Sequence, residues 1–293
     1  MKVGASSSVI EKMAAVDWPS ELQDDGWLMK PKEAGAFLKQ CLARNGIFAR
    51  QAVVSVGSRI AFVREIDFPV MENEELASAM RCGVEEYIPL APDSYYYDYL
   101  PGGKGRNESE MKVVLFAAPK EWVTTVAQIL NAAYIKLIAV ETEALAIQRL
   151  IPDLKDFLLL DMGGHTSQLT VFQGELPVAQ RNIPTGGDNI AYSPVGNDRE
   201  TAVLTNLGHE VNRTVDYYRV NNKEAAFSAI AVTGGGWLPA YRERLASFLH
   251  MPIYTLQPFD NLLLSRNQWA PDYLSRLETR MAVAVGLCLR GAA

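Results

Sequence analysis

The sequence predicts an α/β fold in which strands and helices alternate, and three observations carry that expectation. Phe157–Phe172, FLLLDMGGHTSQLTVF, sets two apolar runs on either side of a Gly163-Gly164 turn, which is the pattern of a β-hairpin. Gly234–Gly236 separates the strand-like run Phe227–Thr233 from a helix opened by Pro239 and carried by Tyr241, Leu245, Phe248 and Leu249. Elsewhere runs with a helical period take turns with runs of period two, as in α/β proteins.

Taken in order, Pro31 can open a helix whose Ala34, Phe37, Leu38, Cys41 and Leu42 share a face, and Gly46 can close it. A strand pair around Gly57-Ser58 is expected next, with Ile60, Phe62, Ile66 and Phe68 on one face and Arg64 as the exception. Asn73 can cap a helix with Glu74 and Glu75 at its positive end, an apolar stripe of Leu76, Met80, Val84 and Tyr87, and Pro89 as its stop. Core packing is the expected use of that stripe. Tyr95, Tyr96, Tyr97 and Tyr99 suit a strand with some rings exposed, or a half-buried edge strand. The Gly-rich, charged stretch that follows reads as a solvated hairpin loop.

The two glycine corners are where chemistry is expected. At the hairpin tip, Gly163 and Gly164 let backbone amides approach an anion, and Thr166 and Ser167 add hydroxyls beside the Asp161 carboxylate, which could hold a hydrated metal ion. An ordinary hairpin with a Gly-rich turn has the same pattern. Gly234, Gly235 and Gly236 stand between a strand and a helix start, a second anion-accepting corner that a plain loop would also explain.

Both corners occur in the order hairpin, helix, Gly triplet, helix. In this the chain resembles, along most of its length, the PilM family of type IV pilus assembly proteins, actin-like relatives of the division protein FtsA. Gln51–Phe68 is similar to the family's strand pair, Glu74–Pro89 to the helix after it, and Val113–Ala133 to the strand and helix that return to the first lobe. Val140–Leu145 resembles the connection between lobes and Pro184–Asp188, PTGGD, the turn after the phosphate hairpin. Glu210–Tyr218 resembles the adenosine-side helix, and Gly286 lies in a segment similar to the final return helix.

The resemblance implies an α/β, actin-like (ribonuclease H-like) two-lobed fold with mixed sheets flanked by helices. It implies a first lobe from residues 1–29 and 119–152, an inserted small α/β subdomain from 30–118, and a second lobe from 153–293. Implied nucleotide-binding residues are Asp161, Gly163, Gly164, His165, Thr166, Gly234, Gly235, Gly236 and Glu210, with ATP and Mg as the ligands and Asp161 as the metal carboxylate. Glu210 and Arg213 share a helix side with Thr214 and Tyr217, so an intrahelical ion pair is the competing reading. Glu141 stands where the family delivers a water-positioning group, with Glu143 as a rival and a surface role open for either, and no residue is assigned to catalysis.

Two departures from the family pattern bear on that site. Met1–Val9, MKVGASSSV, has no Asp before its Gly and no apolar strand leading into it, so the first phosphate hairpin is expected to be missing, as if the chain began one strand late. Between Asp188 and Gly208 the sequence passes quickly into the helix of Glu210, so most of the nucleotide lid is expected to be absent. A degenerate, non-hydrolysing site is the expectation.

Composition narrows the function classes. The 293 residues are 48% hydrophobic and 21% charged with a net charge of −6, enough to bury a sizeable core, and no basic stripe recommends a nucleic-acid partner. Cys41, Cys82 and Cys288 have neither zinc nor disulfide spacing, and His165, His209 and His250 form no ligand pattern. No apolar run approaches the ~20 residues that span a bilayer, and no basic amphipathic anchor like that of FtsA closes the chain. Direct membrane insertion is therefore not expected. The leading expectation is a cytoplasmic adaptor of a type IV pilus or related secretion machine, held at the inner membrane by the tail of a PilN-like partner and contacting other components of that machine. An active ATPase or phosphotransferase and an FtsA-like scaffold remain the alternatives.

Overall fold

The computed structural model describes residues 9–24, 27–105, 107–151, 153–191, 197–223, 225–260, 262–264 and 269–290. It falls into two compact units, one formed by residues 12–142 and the other by residues 1–11 with 143–293. Met1–Ser8, where the first phosphate hairpin is at issue, lie outside the described residues, and Val9–Ile10 form a short strand parallel to Leu263–Leu264.

The unit of residues 12–142 holds two sheets. Pro31 occupies the first turn of the helix Pro31–Arg44, where its missing amide costs nothing, and Gly46 with φ 65° follows the helix end. That helix packs on Lys120–Ala132, and together they cover one face of a parallel strand pair, Gln51–Val56 with Lys136–Thr142. Ala52, Val54 and Val56 alternate into this core beside Trp122, Val126 and Leu130.

The expected strand pair around Gly57-Ser58 does not form. Gly57 accepts from the amides of Ile60 and Ala61 in a helix-like turn, and this redirects the chain into a different sheet. There Phe62–Pro69, Glu110–Pro119 and Tyr95–Lys104 run antiparallel, with Glu110–Pro119 in the middle. The helix Asn73–Gly83 lays Leu76 and Met80 on that sheet, against Ile66, Phe68, Val113 and Leu115. Tyr95, Tyr97 and Tyr99 join this core, and Tyr96 points out with Lys120 Nζ 5.6 Å from its ring centre. The tyrosine strand is thus an edge strand with one tyrosine on the exposed side. Met80 has no exposed surface, so Met80→Ala is expected to cost about 2–5 kcal/mol, read from the urea midpoint.

The other unit is built on a five-stranded sheet in the order Leu176–Ile183, Ser167–Gln173, Leu158–Met162, Ile230–Thr233, Ile253–Thr255. The first three strands are antiparallel neighbours, and the last two run parallel to Leu158–Met162. Leu158–Met162 is the middle strand and is apolar on both faces, as burial on both sides requires. Leu159 packs with Phe157, Phe172, Ala144, Ile147 and Ala282 on one face, and Leu158 and Leu160, of opposite parity, are equally buried. The helix Asn197–Asn221 contributes Leu204, Leu207, Val211 and Val215 at helical spacing. This sheet order carries the hairpin turn and the glycine triplet at the same strand ends, which is what assembles the site.

Candidate functional site: three glycine corners around Asp161

The expected hairpin forms, with Leu158–Met162 antiparallel to Ser167–Gln173 and Gly163–Thr166 at its tip. Ile230–Thr233 lies parallel on the other side of Leu158–Met162, with Thr233 in register with Asp161, so Gly234–Gly236 arrives beside the tip. A third corner, Gly186-Gly187 of PTGGD, is delivered by the next strand of the meander.

These corners touch backbone to backbone. The amide of Gly163 donates to the carbonyl of Thr166 at 2.9 Å, that of Gly187 to Gly163 at 2.9 Å, that of Asp188 to Gly164 at 2.8 Å, and that of Gly236 to Met162 at 2.8 Å. A Cβ on Gly236 would lie 2.2 Å from the Gly163 carbonyl oxygen, and one on Gly186 would lie 2.3 Å from that of Gly164. Only glycine admits such approaches. Gly234 adds a conformational demand, with φ 103°. Much of the amide supply expected for an anion is therefore spent within the protein. Among the described residues the amides of Gly164, His165 and Gly235 donate to no backbone acceptor, and they are the amides left to line an anion cradle.

The charges around the cradle are mostly acidic. Burial alone pushes the Asp161 carboxyl up to about 6, because the charged form loses its hydration there. His165 Nδ1 lies 3.0 Å from Asp188 Oδ2, so His165 faces a carboxylate across the hairpin tip. Arg280 approaches the triplet, its Cγ 3.0 Å from the place a Gly235 Cβ would take, and the Thr279 carbonyl accepts from Gly234 and from the Thr233 hydroxyl. A phosphate in the cradle would meet Asp161 and Asp188 together and would need a cation to offset them. The donor set fits one phosphate group carried with a divalent ion. Among the described residues, no group of three His, Cys, Asp or Glu side chains is placed to hold a metal alone.

The structure thus gathers Asp161, Gly163, Gly164, His165, Thr166 and Gly234–Gly236. Ser167 does not offer its hydroxyl to the cradle; it donates to the Thr185 carbonyl at 2.6 Å, because its register with Ile183 sets it next to the PTGGD turn. Glu210 is ion-paired with Arg181 of the edge strand, and Arg213 lies 3.9 Å from its other oxygen. Arg181 also reaches Thr214, so this group ties helix to sheet. Glu141 belongs to the other unit, buried in the strand Lys136–Thr142 in register with Ser55. Gly186, Gly187, Asp188 and Asn189, whose Oδ1 accepts from the Gly186 amide, complete the site, and the PTGGD spelling is the one signal in sequence for the first three. Arg280 has none.

The comparisons with known proteins bear on the fold and the family. No curated protein matches the sequence. Among solved structures, the chain is similar over 97% of its length to 92% of a chain of the "PilM-PilN type IV pilus biogenesis complex", with 22% identity and a TM-score of 0.82. It is also similar over 93% of its length to 79% of the ethanolamine utilization protein EutJ from Carboxydothermus hydrogenoformans, with 15% identity and a TM-score of 0.51. The fold is α/β and actin-like. No helix among the described residues is long and apolar enough to cross a membrane. The family model described as type IV pilus assembly protein PilM matches residues 1–197, about two thirds of the sequence, and the chain belongs to that family.

Proposed function

We propose that this protein is a cytoplasmic assembly adaptor of a type IV pilus or related secretion machine, binding the tail of a PilN-like inner-membrane protein without depending on ATP turnover. The single observation that carries the reading is membership of the PilM family. The solved relative that is similar over nearly the whole chain comes from a complex of PilM with PilN. Holding a tail requires a shaped surface, which the three-stranded sheet and its helix can supply; Tyr96 and Leu100 are the exposed apolar residues of its edge strand. An extended tail can gain affinity from backbone pairing and specificity from alternate side chains.

Nucleotide is a regulator in this reading. Asp161 would hold a hydrated Mg ion, and the amides of Gly164, His165 and Gly235 would receive a phosphate group. Between Asp188 and Gly208 the described residues hold the helical turn Asp188–Ala191 and the start of the helix Asn197–Asn221, which leaves little chain to cover a base. The test is calorimetric titration of the intact protein with a peptide of the partner's N-terminal tail, with and without Mg·ATP. Saturable tail binding, reduced at least fivefold by Tyr96→Asp with the fold retained, is the expected result. No tail binding in either condition would overturn the adaptor reading. In the same experiment Mg·ATP is expected to bind the parent protein and not Asp161→Ala.

A further inference from the structure

In the unit of residues 12–142, two helices close with the same turn and lead into neighbouring strands. After Pro31–Arg44 the amide of Ile47 donates to the Leu42 carbonyl at 2.9 Å around Gly46, which has φ 65°. After Lys120–Ala132 the amide of Ile135 donates to the Leu130 carbonyl at 2.8 Å around Tyr134, which has φ 63°. The strands that follow start side by side, with Gln51 in register with Lys136 and the Lys136 amide donating to the Arg50 carbonyl at 2.9 Å. The loops 45–50 and 133–135 therefore share one end of the parallel pair, and Lys39 Nζ lies 4.4 Å from the centre of the Tyr134 ring.

The side chains shown at this end are poor choices for stability. A left-handed helix end favours glycine, and Gly46 follows that rule, whereas Tyr134 carries a ring there that is 77% exposed. Phe48, just past Gly46, is 90% exposed, and Ile138, near the start of Lys136–Thr142, is 52% exposed. The end is also basic in an acidic protein. Residues 34–64 and 122–140 contain no Asp or Glu, although the chain has a net charge of −6. Arg44, Arg50 and Lys136 are exposed on the same loops and strand starts, and none of them is ion-paired among the described residues. Arg44 in a last helical turn complements the helix dipole, but the dipole asks nothing of Phe48, Tyr134, Arg50 or Lys136.

We infer that this end of the unit rests on an anionic phospholipid surface, with Phe48 and Tyr134 seated among the headgroups and Arg44, Arg50 and Lys136 on the phosphates. Exposed rings flanked by Lys and Arg suit the boundary between headgroup and acyl chain, where apolar bodies turn inward and cations stay at the level of the phosphates. Side-chain tips suffice for this contact, so no helix has to enter the bilayer. A nucleic acid offers the same phosphates but takes ring faces for base stacking. One face of Tyr134 already carries Lys39, and aliphatic Ile138 is no stacking platform. A contact of this size is weak and reversible by itself, and it gains effective strength beside any second tether to the same membrane. It needs no partner protein, so it stands or falls apart from tail binding.

The probe is vesicles of phosphatidylglycerol with phosphatidylcholine, floated with the intact protein beside vesicles of phosphatidylcholine alone. Saturable binding to the anionic vesicles, lost in high salt and absent from the neutral ones, is the expected result. Amide exchange on the vesicles should show new protection confined to residues 44–50 and 133–138. A cation near an anionic surface is worth about fivefold in affinity, so Arg50→Glu with Lys136→Glu should weaken binding at least twentyfold. Phe48→Ser should weaken it at least fivefold with the charge unchanged. Tyr134→Gly should weaken binding yet raise the thermal midpoint by about 2 °C, because the ring is held against the preference of the backbone. A fall in that midpoint would give the ring a packing role and overturn its part in the contact. Equal binding to neutral vesicles, binding that these variants leave unchanged, protection elsewhere, or no binding would each overturn the assignment. Saturable binding of a single-stranded oligonucleotide, abolished by the same variants, would give the surface to nucleic acid instead.

Discussion

At pH 8 the Asp161→Asn variant should be more stable than the parent in the absence of ligand, by up to about 3 kcal/mol. The sign follows from the direction of the shift. Burial raises the folded-state carboxyl from its ordinary 3.8 to about 6, so the folded protein holds that proton more tightly than the unfolded chain. Stability from the group is complete below pH 4 and is lost as pH rises through about 6. Roughly 2 units at about 1.4 kcal/mol each set the size. Asparagine carries no charge to desolvate, so its advantage should appear across pH 4–6 and hold above it. Urea midpoints at pH 4 and pH 8 test this; an advantage independent of pH would show that Asp161 is not held as described. A divalent ion with phosphate beside the carboxylate offsets the same penalty, so Mg·ATP should raise the parent's midpoint at pH 8 and leave that of the variant unchanged.

Gly234→Ala should be among the most damaging single-methyl changes in the protein. Its φ of 103° lies where alanine is strained, and the added Cβ would fall 2.3 Å from the Met162 carbonyl oxygen and 2.4 Å from Asp161 Oδ1. Strain and overlap together are expected to cost on the order of 3–5 kcal/mol. Gly83→Ala is the matched control: its Cβ would meet nothing within 4 Å and it ends a helix, so the change should be neutral or stabilising by about 0.5–1 kcal/mol. Denaturant midpoints of both variants beside the parent give the comparison. Equal midpoints for the two would mean that the corner at Met162 is looser than its geometry implies.

Local signals were the ones the sequence displayed. The hairpin of Phe157–Phe172, the helix opened by Pro31 and the stripe of Leu76, Met80 and Val84 are each written within a dozen or so residues, in periodicity and in the placing of proline and glycine. Strand partners are not written that way. Gln51–Val56 and Phe62–Pro69 look like a hairpin because five residues with Gly57-Ser58 separate them, yet each strand finds its partner much further along the chain. In the site the same division holds. Asp161 and its glycines announce themselves, whereas the bond between Arg181 and Glu210 and the approach of Arg280 depend on tertiary packing across long separations. The appetite of Ser167 for the Thr185 carbonyl depends on register, which its neighbours in sequence do not fix.

The interlocked glycines also bear on how such sequences change over time. Gly186, Gly187, Gly234 and Gly236 are spacers between the corners, so a side chain gained at any of these four presses on the backbone of a neighbouring corner whatever the site binds. Selection to keep the sheet ends closed would therefore preserve those four glycines in a lineage that had given up nucleotide altogether. Glycine at those positions would then record the packing of a β-sheet and say nothing of the ligand.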